Sequence, residues 1–251
     1  MRVFAVSDLH VDFDDNARWL DGLSDQDYRA DVLILAGDIA DSMTLIEWGL
    51  TAVVRRFAAV LYVPGNHDLW VGREPGRETS FERFEHVRQL AHACGASTTP
   101  FTHGPLSIVP LFGWYDYSFG EPGPELRRRW LDFRQCCWPA GVEVPDVTAH
   151  FLRLNEPALA TTNQRVLSFS HFMPRADLLP VREGRLVLHP VLGAAGIDEQ
   201  IRRLGSELHV YGHSHVNRHL TRDGVTYINN AFGYPSETHI TAKQLVCVCD
   251  V

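Results

Sequence analysis

Five short polar clusters in this sequence carry the residue types that bind divalent metal ions and transfer protons. In chain order they are Asp8-Leu9-His10, Gly37-Asp38 followed by Asp41, Gly65-Asn66-His67-Asp68, Ser170-His171 and Gly212-His213-Ser214-His215. Aspartate, asparagine and histidine offer hard oxygen and borderline nitrogen donors, and none of the clusters contains a thiolate. Such a donor set suits a pair of divalent first-row ions that share one carboxylate. The clusters therefore predict a site for two metal ions.

The position of these clusters in the chain is more informative than their composition. Chance produces patterns this short in a chain with 13 histidines, so no single cluster is specific. Each cluster, however, directly follows an apolar, strand-like run, and ligand sites gather at the strand ends of α/β sheets. Residues two apart on an extended segment project to one side, so Asp8 and His10 can reach a common centre, as can His213 and His215. Glycines at positions 37, 65 and 212 permit the tight turns that bring the backbone close to that centre.

Taken together and in this order, the five clusters resemble the calcineurin-like metallophosphoesterase superfamily over residues 8–215. The resemblance implies a four-layer αββα sandwich with mixed sheets. It implies that one metal ion is held by Asp8, His10, Asp38 and His215, and the second by Asp38, Asn66, His171 and His213. It also places Asn66 and His67 beside the substrate, with His67 protonating the leaving oxygen or stabilising charge there.

Two further aspartates accompany His67 in these clusters. The resemblance makes Asp41 the partner of His67, where an aspartate would favour the imidazolium and fix its orientation. The alternative is that Asp41 only caps the helix expected after Ser42. We interpret Asp68 as a structural residue that holds its loop.

The charge of such a site suits a phosphate ester even in an acidic protein. Two divalent ions, two carboxylates and a bridging hydroxide leave a formal charge near +1, and local ions dominate the local field. Paired metals lower the pKa of a shared water and clamp phosphoryl oxygens for in-line attack. We therefore expect metal-dependent hydrolysis of a small-molecule phosphoester by a metal-bridging hydroxide. Manganese, iron and zinc all fit the donor set.

The substrate is less well defined than the reaction. The sequence continues Asp41-Ser42-Met43 where the superfamily's protein phosphatases have Arg-Gly after the aspartate, which disfavours that subgroup. A phosphomonoesterase or phosphodiesterase for small molecules remains, with a cyclic-nucleotide or nucleotide phosphodiesterase or pyrophosphatase as the alternative. A nuclease and a non-catalytic scaffold are lesser alternatives. Trp114 and Tyr115 could stack on a base or sugar, or could merely close the edge of the core.

The elements that must position these clusters follow from apolar periodicity. Short β-branched runs alternate with helical spacing in the first half, which predicts βαβ units with parallel strands. Helices are expected after Ser42 and after Thr79 or Ser80, and over 147–160 and 197–204. Closing strands at 226–228 and 244–248 suggest an antiparallel finish. Residues 113–145 form an irregular, aromatic-rich insertion or cap segment of a single domain spanning 1–251.

Composition limits the class of protein. The chain of 251 residues is 45% hydrophobic and 22% charged, so it can bury a core. Its net charge of −8 makes nucleic acid an unlikely partner, and no apolar run is long enough to span a membrane. The strand-like start leaves no room for a secretory signal, and five cysteines do not suggest a disulfide framework. A cytoplasmic location is expected, and the sequence leaves the oligomeric state open.

Overall fold

The computed structural model describes residues 1–72, 78–160, 163–179 and 186–251. The strands are β1 (Arg2–Val6), β2 (Val32–Leu35), β3 (Ala59–Tyr62), β4 (Phe101–His103), β5 (Leu106–Pro110), β6 (Arg165–Phe169), β7 (Leu208–Tyr211), β8 (Arg218–Arg222), β9 (Val225–Asn229) and β10 (Val246–Asp250). The α-helices are α1 (Asp14–Asp21), α2 (Met43–Val54), α3 (Ser80–Cys94), α4 (Pro124–Arg129), α5 (Asp132–Gln135), α6 (Val144–Asn155) and α7 (Ala195–Leu204).

The strands form two mixed sheets. One has the order β10-β1-β2-β3, in which β1, β2 and β3 are parallel and β10 is antiparallel to β1. The other has the order β4-β5-β6-β7-β9-β8, with a parallel centre and an antiparallel strand at each edge. The expected mixed-sheet sandwich with helices is confirmed.

The first sheet is apolar on both faces, which is typical of a parallel sheet covered on both sides. Alternate residues of β1 belong to different cores: Val3 and Ala5 pack into the cluster shared with the second sheet, whereas Phe4 and Val6 pack against the outer helices. This alternation follows from the two-residue period of a strand. It places the inner core between the two sheets and leaves the strand ends to form the site.

Local capping fixes where two of the predicted helices begin. The Ser42 side chain accepts a hydrogen bond from the Leu45 amide at the start of α2. Thr79 and Glu82 form a reciprocal capping box at the start of α3, which ends at Gly95 with φ 95°. The predicted helix over 147–160 divides into α6 and a 3₁₀ helix, Glu156–Ala160, because Pro157 cannot donate to the helical ladder.

Several expectations need correction. The strand β9 runs parallel to β7, and the antiparallel partner of β9 is β8, which the sequence did not predict because its residues are largely exposed and polar. The edge strand β4 and helix α1 were also missed. The final strand is antiparallel to β1, as expected. No helix in the described ranges is both long and apolar enough to cross a bilayer.

The aromatic-rich segment 113–145 is folded against the main body and contains α4 and α5. Trp114 and Tyr115 are 0% and 1% exposed, and both belong to the core shared by the two sheets. Their rings also contact Phe172. The expectation that they stack on a substrate is therefore not supported, because no ring face is open; the alternative, that they close the edge of the core, describes what they do.

Candidate metal centre

The loops after β1, β2, β3, β6 and β7 converge, and they bring all five polar clusters to one place. Three overlapping groups have ligand atoms within 4.8 Å of one another: Asp8, His10 and His215; His10, Asp38 and His67; and Asp38, His171 and His213. The Asn66 Oδ1 atom lies 3.1 Å from His171 Nε2. The structure thus gathers every residue that the sequence assigned to the two metal sites, with Asp38 common to two groups.

The backbone at this centre is held in an unusual conformation. Five of the clustered residues have positive φ: Asp8 at 54°, His10 at 43°, Asp38 at 55°, His213 at 65° and His215 at 50°. Such left-handed conformations are uncommon outside glycine and persist only where the surrounding structure imposes them. Holding these residues in the left-handed conformation costs folding free energy, and it directs their side chains toward the centre.

Glycines make room for the side chains that converge here. Gly37 has φ 87°, and a Cβ atom at that position would lie 2.5 Å from His171 Nδ1. A Cβ atom on Gly65 would overlap the Asp38 carboxylate. Both positions require glycine, because any side chain would displace a clustered residue.

Acceptors outside the centre fix the orientation of three histidine rings. His171 Nδ1 donates to the Ala36 carbonyl at 2.8 Å, and His213 Nε2 donates to the Val191 carbonyl at 2.9 Å. His215 Nδ1 lies 2.6 Å from the Glu237 carboxylate. With the outer nitrogen of each ring held by an acceptor, the inner nitrogen is the one that can offer a lone pair to a cation. This is the arrangement by which proteins hold histidine ligands of metals. Burial lowers the pKa of His171 and His215, but the nearby carboxylates outweigh burial and raise it to about 9 and about 10, so a bound cation would displace the inner proton of these two rings.

The inner nitrogens face one another across short distances. His171 Nε2 lies 3.2 Å from His213 Nδ1 and 3.4 Å from an Asp38 carboxylate oxygen. A proton on His171 Nε2 can be shared with these two acceptors, and a cation would take its place. Ring nitrogens and a carboxylate that converge in this way suit a shared cation, so the donor set fits a divalent metal ion.

The ionisation of the centre reflects burial opposed by neighbouring charges. Burial disfavours the charged form of Asp8, but the adjacent His215 outweighs it and lowers the pKa of Asp8 to about 2. Burial, with a further contribution from His171, lowers the pKa of His213 to about 3. At neutral pH Asp8 is thus a carboxylate and His213 a neutral imidazole, which are the forms that coordinate metals.

His67 is placed beside the clustered ligands with its ring held on three sides. Its Nδ1 lies 2.7 Å from Asp41 Oδ1, its ring stacks on Trp70 with centroids 3.8 Å apart, and the Tyr234 hydroxyl lies 3.4 Å from its Nε2. Burial lowers the pKa of His67, but the charges of Asp38 and Asp41 outweigh burial and raise it. The expected Asp41–His67 contact is present, and it favours the imidazolium.

Two adjoining clefts meet at His67, and both are lined by His67, Trp70, Leu131 and Tyr234. The first, which we call the Trp130 cleft, measures about 220 Å³ and is completed by Asn66, Arg129, Trp130 and Asp132. The second, the Phe13 cleft, measures about 210 Å³ and is completed by His10, Asp12, Phe13 and Asp41.

Asp132, from the 113–145 segment, is a site residue that sequence reasoning missed. One oxygen of this buried carboxylate accepts from Asn66 Nδ2 at 2.9 Å and from Trp70 Nε1 at 2.7 Å, and the other accepts from Trp130 Nε1 at 2.8 Å. By holding the amide nitrogen of Asn66, Asp132 turns the Asn66 oxygen toward His171. Nothing in the local sequence distinguishes Asp132 from a surface aspartate; only its burial identifies it.

Glu237 and Tyr234 were also missed, and they belong to the loop after β9. The carboxylate of Glu237 contacts His215 and accepts from the Tyr234 amide at 2.7 Å. The Lys243 ammonium donates to the carbonyls of Phe232, Gly233 and Tyr234. This loop lies beyond the last predicted cluster, so spacing gave no signal for it.

Asp68 lies behind the centre and organises the loops. Its carboxylate accepts from the amides of Asp38 and Ile39, both at 2.9 Å, from the Gly65 amide at 2.8 Å and from the Tyr62 hydroxyl at 2.8 Å. The interpretation of Asp68 as a structural residue agrees with these contacts.

Comparison with known proteins places this arrangement in a family. The family model described as calcineurin-like phosphoesterase matches residues 1–217. The chain therefore belongs to the calcineurin-like phosphoesterase family, and the expected class of enzyme, a phosphoester hydrolase, is confirmed.

One curated relative and two solved structures match most of this chain. The chain is 30% identical to the [acyl-carrier-protein] phosphodiesterase PptH of Mycobacterium tuberculosis, over 94% of this chain and 78% of that protein. The crystal structure of that phosphopantetheinyl hydrolase matches with a TM-score of 0.81 and 27% identity, covering 95% of this chain and 91% of the other. The structure of TT1561 from Thermus thermophilus matches with a TM-score of 0.52 and 14% identity, covering 92% and 89%, which shows a shared fold alone.

Proposed function

We propose that this protein is a metal-dependent phosphodiesterase that releases phosphopantetheine from a carrier protein. The observation that carries this proposal is the convergence of metal-binding side chains and His67 at two adjoining clefts. These clefts offer room beside His67 for both substituents of a diester. The relatives named for phosphopantetheinyl hydrolysis support this choice of diester.

The residues that would hold the metal ions are those on which the sequence and the geometry agree. Asp8, His10, Asp38 and His215 would hold one ion, and Asp38, Asn66, His171 and His213 the other. When bound, two such ions activate water and neutralise charge on the phosphoryl oxygens. The oxygen and imidazole donors suit manganese, iron or zinc. Metal analysis of the purified protein, with an expected content near two per chain, tests this assignment.

The chain's own contribution to the reaction is proton transfer at the leaving group. Water adds to phosphorus, the ester bond to the carrier protein breaks, and the departing oxygen takes a proton from His67 Nε2. Asp41 holds the opposite nitrogen of the ring and stabilises its charged form. Asn66, the residue before His67, would contact the bound phosphate.

The decisive experiment compares substitutions that remove metal donors. Asp38→Ala and His213→Ala should each abolish manganese-dependent release of phosphopantetheine from a carrier protein, measured as the mass lost by that protein. His103→Ala, at an exposed position, serves as the control. If either variant kept most of the activity after careful metal loading, the assignment would be wrong.

A substrate panel separates this proposal from the other interpretations of the sequence. Faster hydrolysis of mononucleotides or cyclic nucleotides than of the carrier-protein diester would favour a nucleotide phosphodiesterase. Cleavage of oligonucleotides would indicate a nuclease. Full metal content without turnover on any phosphoester would indicate a scaffold.

We further propose that the protein works in the cytoplasm. All five cysteines are free, and Cys137 and Cys247 are exposed to solvent. Unpaired surface thiols are typical of a reducing compartment. Fractionation of the native cell, with detection of this chain in the cytosolic fraction, tests the location.

A further inference from the structure

A groove adjoins the Trp130 cleft. It measures about 440 Å³ and is lined by Glu125, Leu126, Arg129, Trp130, Val187 and Leu188. Arg129 and Trp130 line both this outer groove and the Trp130 cleft. The two spaces therefore adjoin at these two residues, and the volume of the outer groove is in the range of ligand sites.

Both walls of the outer groove are tied to a metal-site residue. The Trp130 ring packs edge-to-face on His213, with centroids 5.8 Å apart. Leu188 belongs to the 3₁₀ helix Leu186–Val191, whose last carbonyl accepts the proton of His213 Nε2. Both walls of the groove therefore contact His213, a residue of the candidate centre. A molecule in the groove would lie at a set position relative to the reacting phosphorus.

The surface around these adjoining spaces is unusually apolar. Of the seven large apolar side chains that are exposed in the described parts of the chain, Phe13, Leu131, Val187 and Leu188 line the outer groove or one of the two clefts. Val187 is 49% exposed and Leu188 is 40% exposed. Apolar side chains gathered around a site mark a surface that is covered when a ligand binds.

The lining of the outer groove favours an uncharged occupant over a second phosphate. Arg129 forms an ion pair with Glu125 at 3.0 Å, so the guanidinium is already matched by a carboxylate at the rim. The remaining lining residues are apolar. A long uncharged chain of methyl, methylene and amide groups fits such a lining. Its apolar parts can cover Trp130 and Leu188, and an amide can hydrogen-bond to the Arg129–Glu125 ion pair.

We infer that the outer groove binds the pantetheine arm of the substrate and so selects diesters that carry it. This inference rests on the proposed function. The phosphate lies at the metal centre, the arm extends through the Trp130 cleft into the outer groove, and the carrier protein departs on the side of the Phe13 cleft. Leu188 and Val187 are then specificity residues that contact the arm.

The test measures binding of two probes to the metal-loaded protein by calorimetry. Wild type should bind phosphopantetheine at least 10-fold more tightly than inorganic phosphate, which corresponds to about 1.4 kcal/mol. Leu188→Asp should lose this preference and still bind inorganic phosphate. Leu154→Asp, at a leucine that is 37% exposed and lines none of these spaces, should behave as wild type. Val187→Ser provides a milder second variant if Leu188→Asp fails to fold.

Two results would overturn the inference: equal affinity of wild type for both probes, or a Leu188→Asp variant that keeps the full preference. These outcomes are distinct from failure of the proposed function. If the protein bound phosphopantetheine selectively through Leu188 but did not release phosphopantetheine from a carrier protein, the proposed function would be wrong and the inference about the groove would stand. If the protein released phosphopantetheine equally well after substitution of Leu188 or Val187, only the inference about the groove would be wrong.

Discussion

At the scale of single residues, the centre depends on which nitrogen of each histidine carries the proton. Backbone carbonyls take the outer protons of His171 and His213, and the Glu237 carboxylate faces the outer nitrogen of His215. Removing such an outer partner typically weakens metal binding about 10–100-fold. The donors are therefore pre-arranged by the protein rather than by the ions.

His67 gives a prediction that depends on the leaving group. His67→Ala should slow release of an alkoxide, such as that of a carrier protein, about 10²–10⁴-fold, because an alkoxide needs a proton. The same variant should lose much less activity on bis(p-nitrophenyl) phosphate, since nitrophenolate leaves without one. Steady-state rates on both substrates, with metal content checked, provide the measurement. Equal losses on the two substrates would mean that His67 is not chiefly an acid.

His209 gives a prediction about stability and pH away from the centre. This buried residue of β7 lies 2.8 Å from Ser168 Oγ and 3.0 Å from Ser170 Oγ, and burial lowers the pKa of His209 to about 3. In the unfolded chain its pKa is about 6.5. Between these two values the unfolded chain binds a proton that the folded protein does not bind. The contribution of His209 to the free energy of unfolding is thus fully present above pH ~6.5 and is lost as the pH falls below that value.

The measurement is urea unfolding of the metal-free protein at several pH values. The free energy of unfolding of wild type minus that of His209→Gln should fall by up to about 1.4 kcal/mol per pH unit below pH ~6.5. His103→Gln, at an exposed position, should show a nearly constant difference from wild type. A difference for His209→Gln that does not change with pH would contradict the assignment.

At the scale of elements, the site depends on loops that follow parallel strands of both sheets and on one short helix that is not part of either. The α5 helix begins with Asp132, whose carboxylate joins Asn66, Trp70 and Trp130. The segment 113–145 therefore does more than cover the core. It holds Asn66, a candidate metal ligand, and the Trp70 ring that packs against His67.

The role of α5 leads to a prediction for Asp132→Asn. This change keeps the shape of the side chain but replaces one of the two acceptor oxygens with an NH2 group, so three N–H donors compete for a single acceptor and the hold on Asn66 should weaken. We expect the metal content to fall toward one ion per chain and kcat to fall about 10–100-fold. Asp116→Asn, in the same segment, is the control, because Asp116 accepts only from the Ser118 amide among its described hydrogen bonds. Unchanged metal content and rate in Asp132→Asn would show that Asn66 is positioned without it.

At the scale of the whole molecule, the metal centre lies where the two sheets meet. Asp8, Asp38 and Asn66 follow strands of the first sheet, and His171 and His213 follow strands of the second. Each ion would thus be shared between the sheets. We propose that the described parts of the chain unfold as a single unit, stabilised by the ions.

This proposal predicts a strong effect of metal removal on unfolding. A ligand present at 100 times its dissociation constant stabilises the folded state by about 2.7 kcal/mol, so a chelator should lower Tm by several degrees while the transition stays single. Asp38→Ala should show little response to the chelator, because Asp38 is common to both sites. Scanning calorimetry provides the measurement. Two separate transitions in wild type would contradict the single unit.

The sequence by itself determined the class of fold, the residues that converge at the candidate centre and the pairing of His67 with Asp41. Strand periodicity and the order of motifs are local properties, and the ends of parallel strands must meet at one edge of a sheet. Only the tertiary structure decided which side chains are buried and which partners they contact. Trp114 and Tyr115 suggest open aromatic surface in the sequence but are buried, whereas Asp132 and Glu237 resemble ordinary surface acids but hold the donors in place. Burial and hydrogen-bond partners arise from contacts between segments far apart in the chain, and local spacing does not encode them.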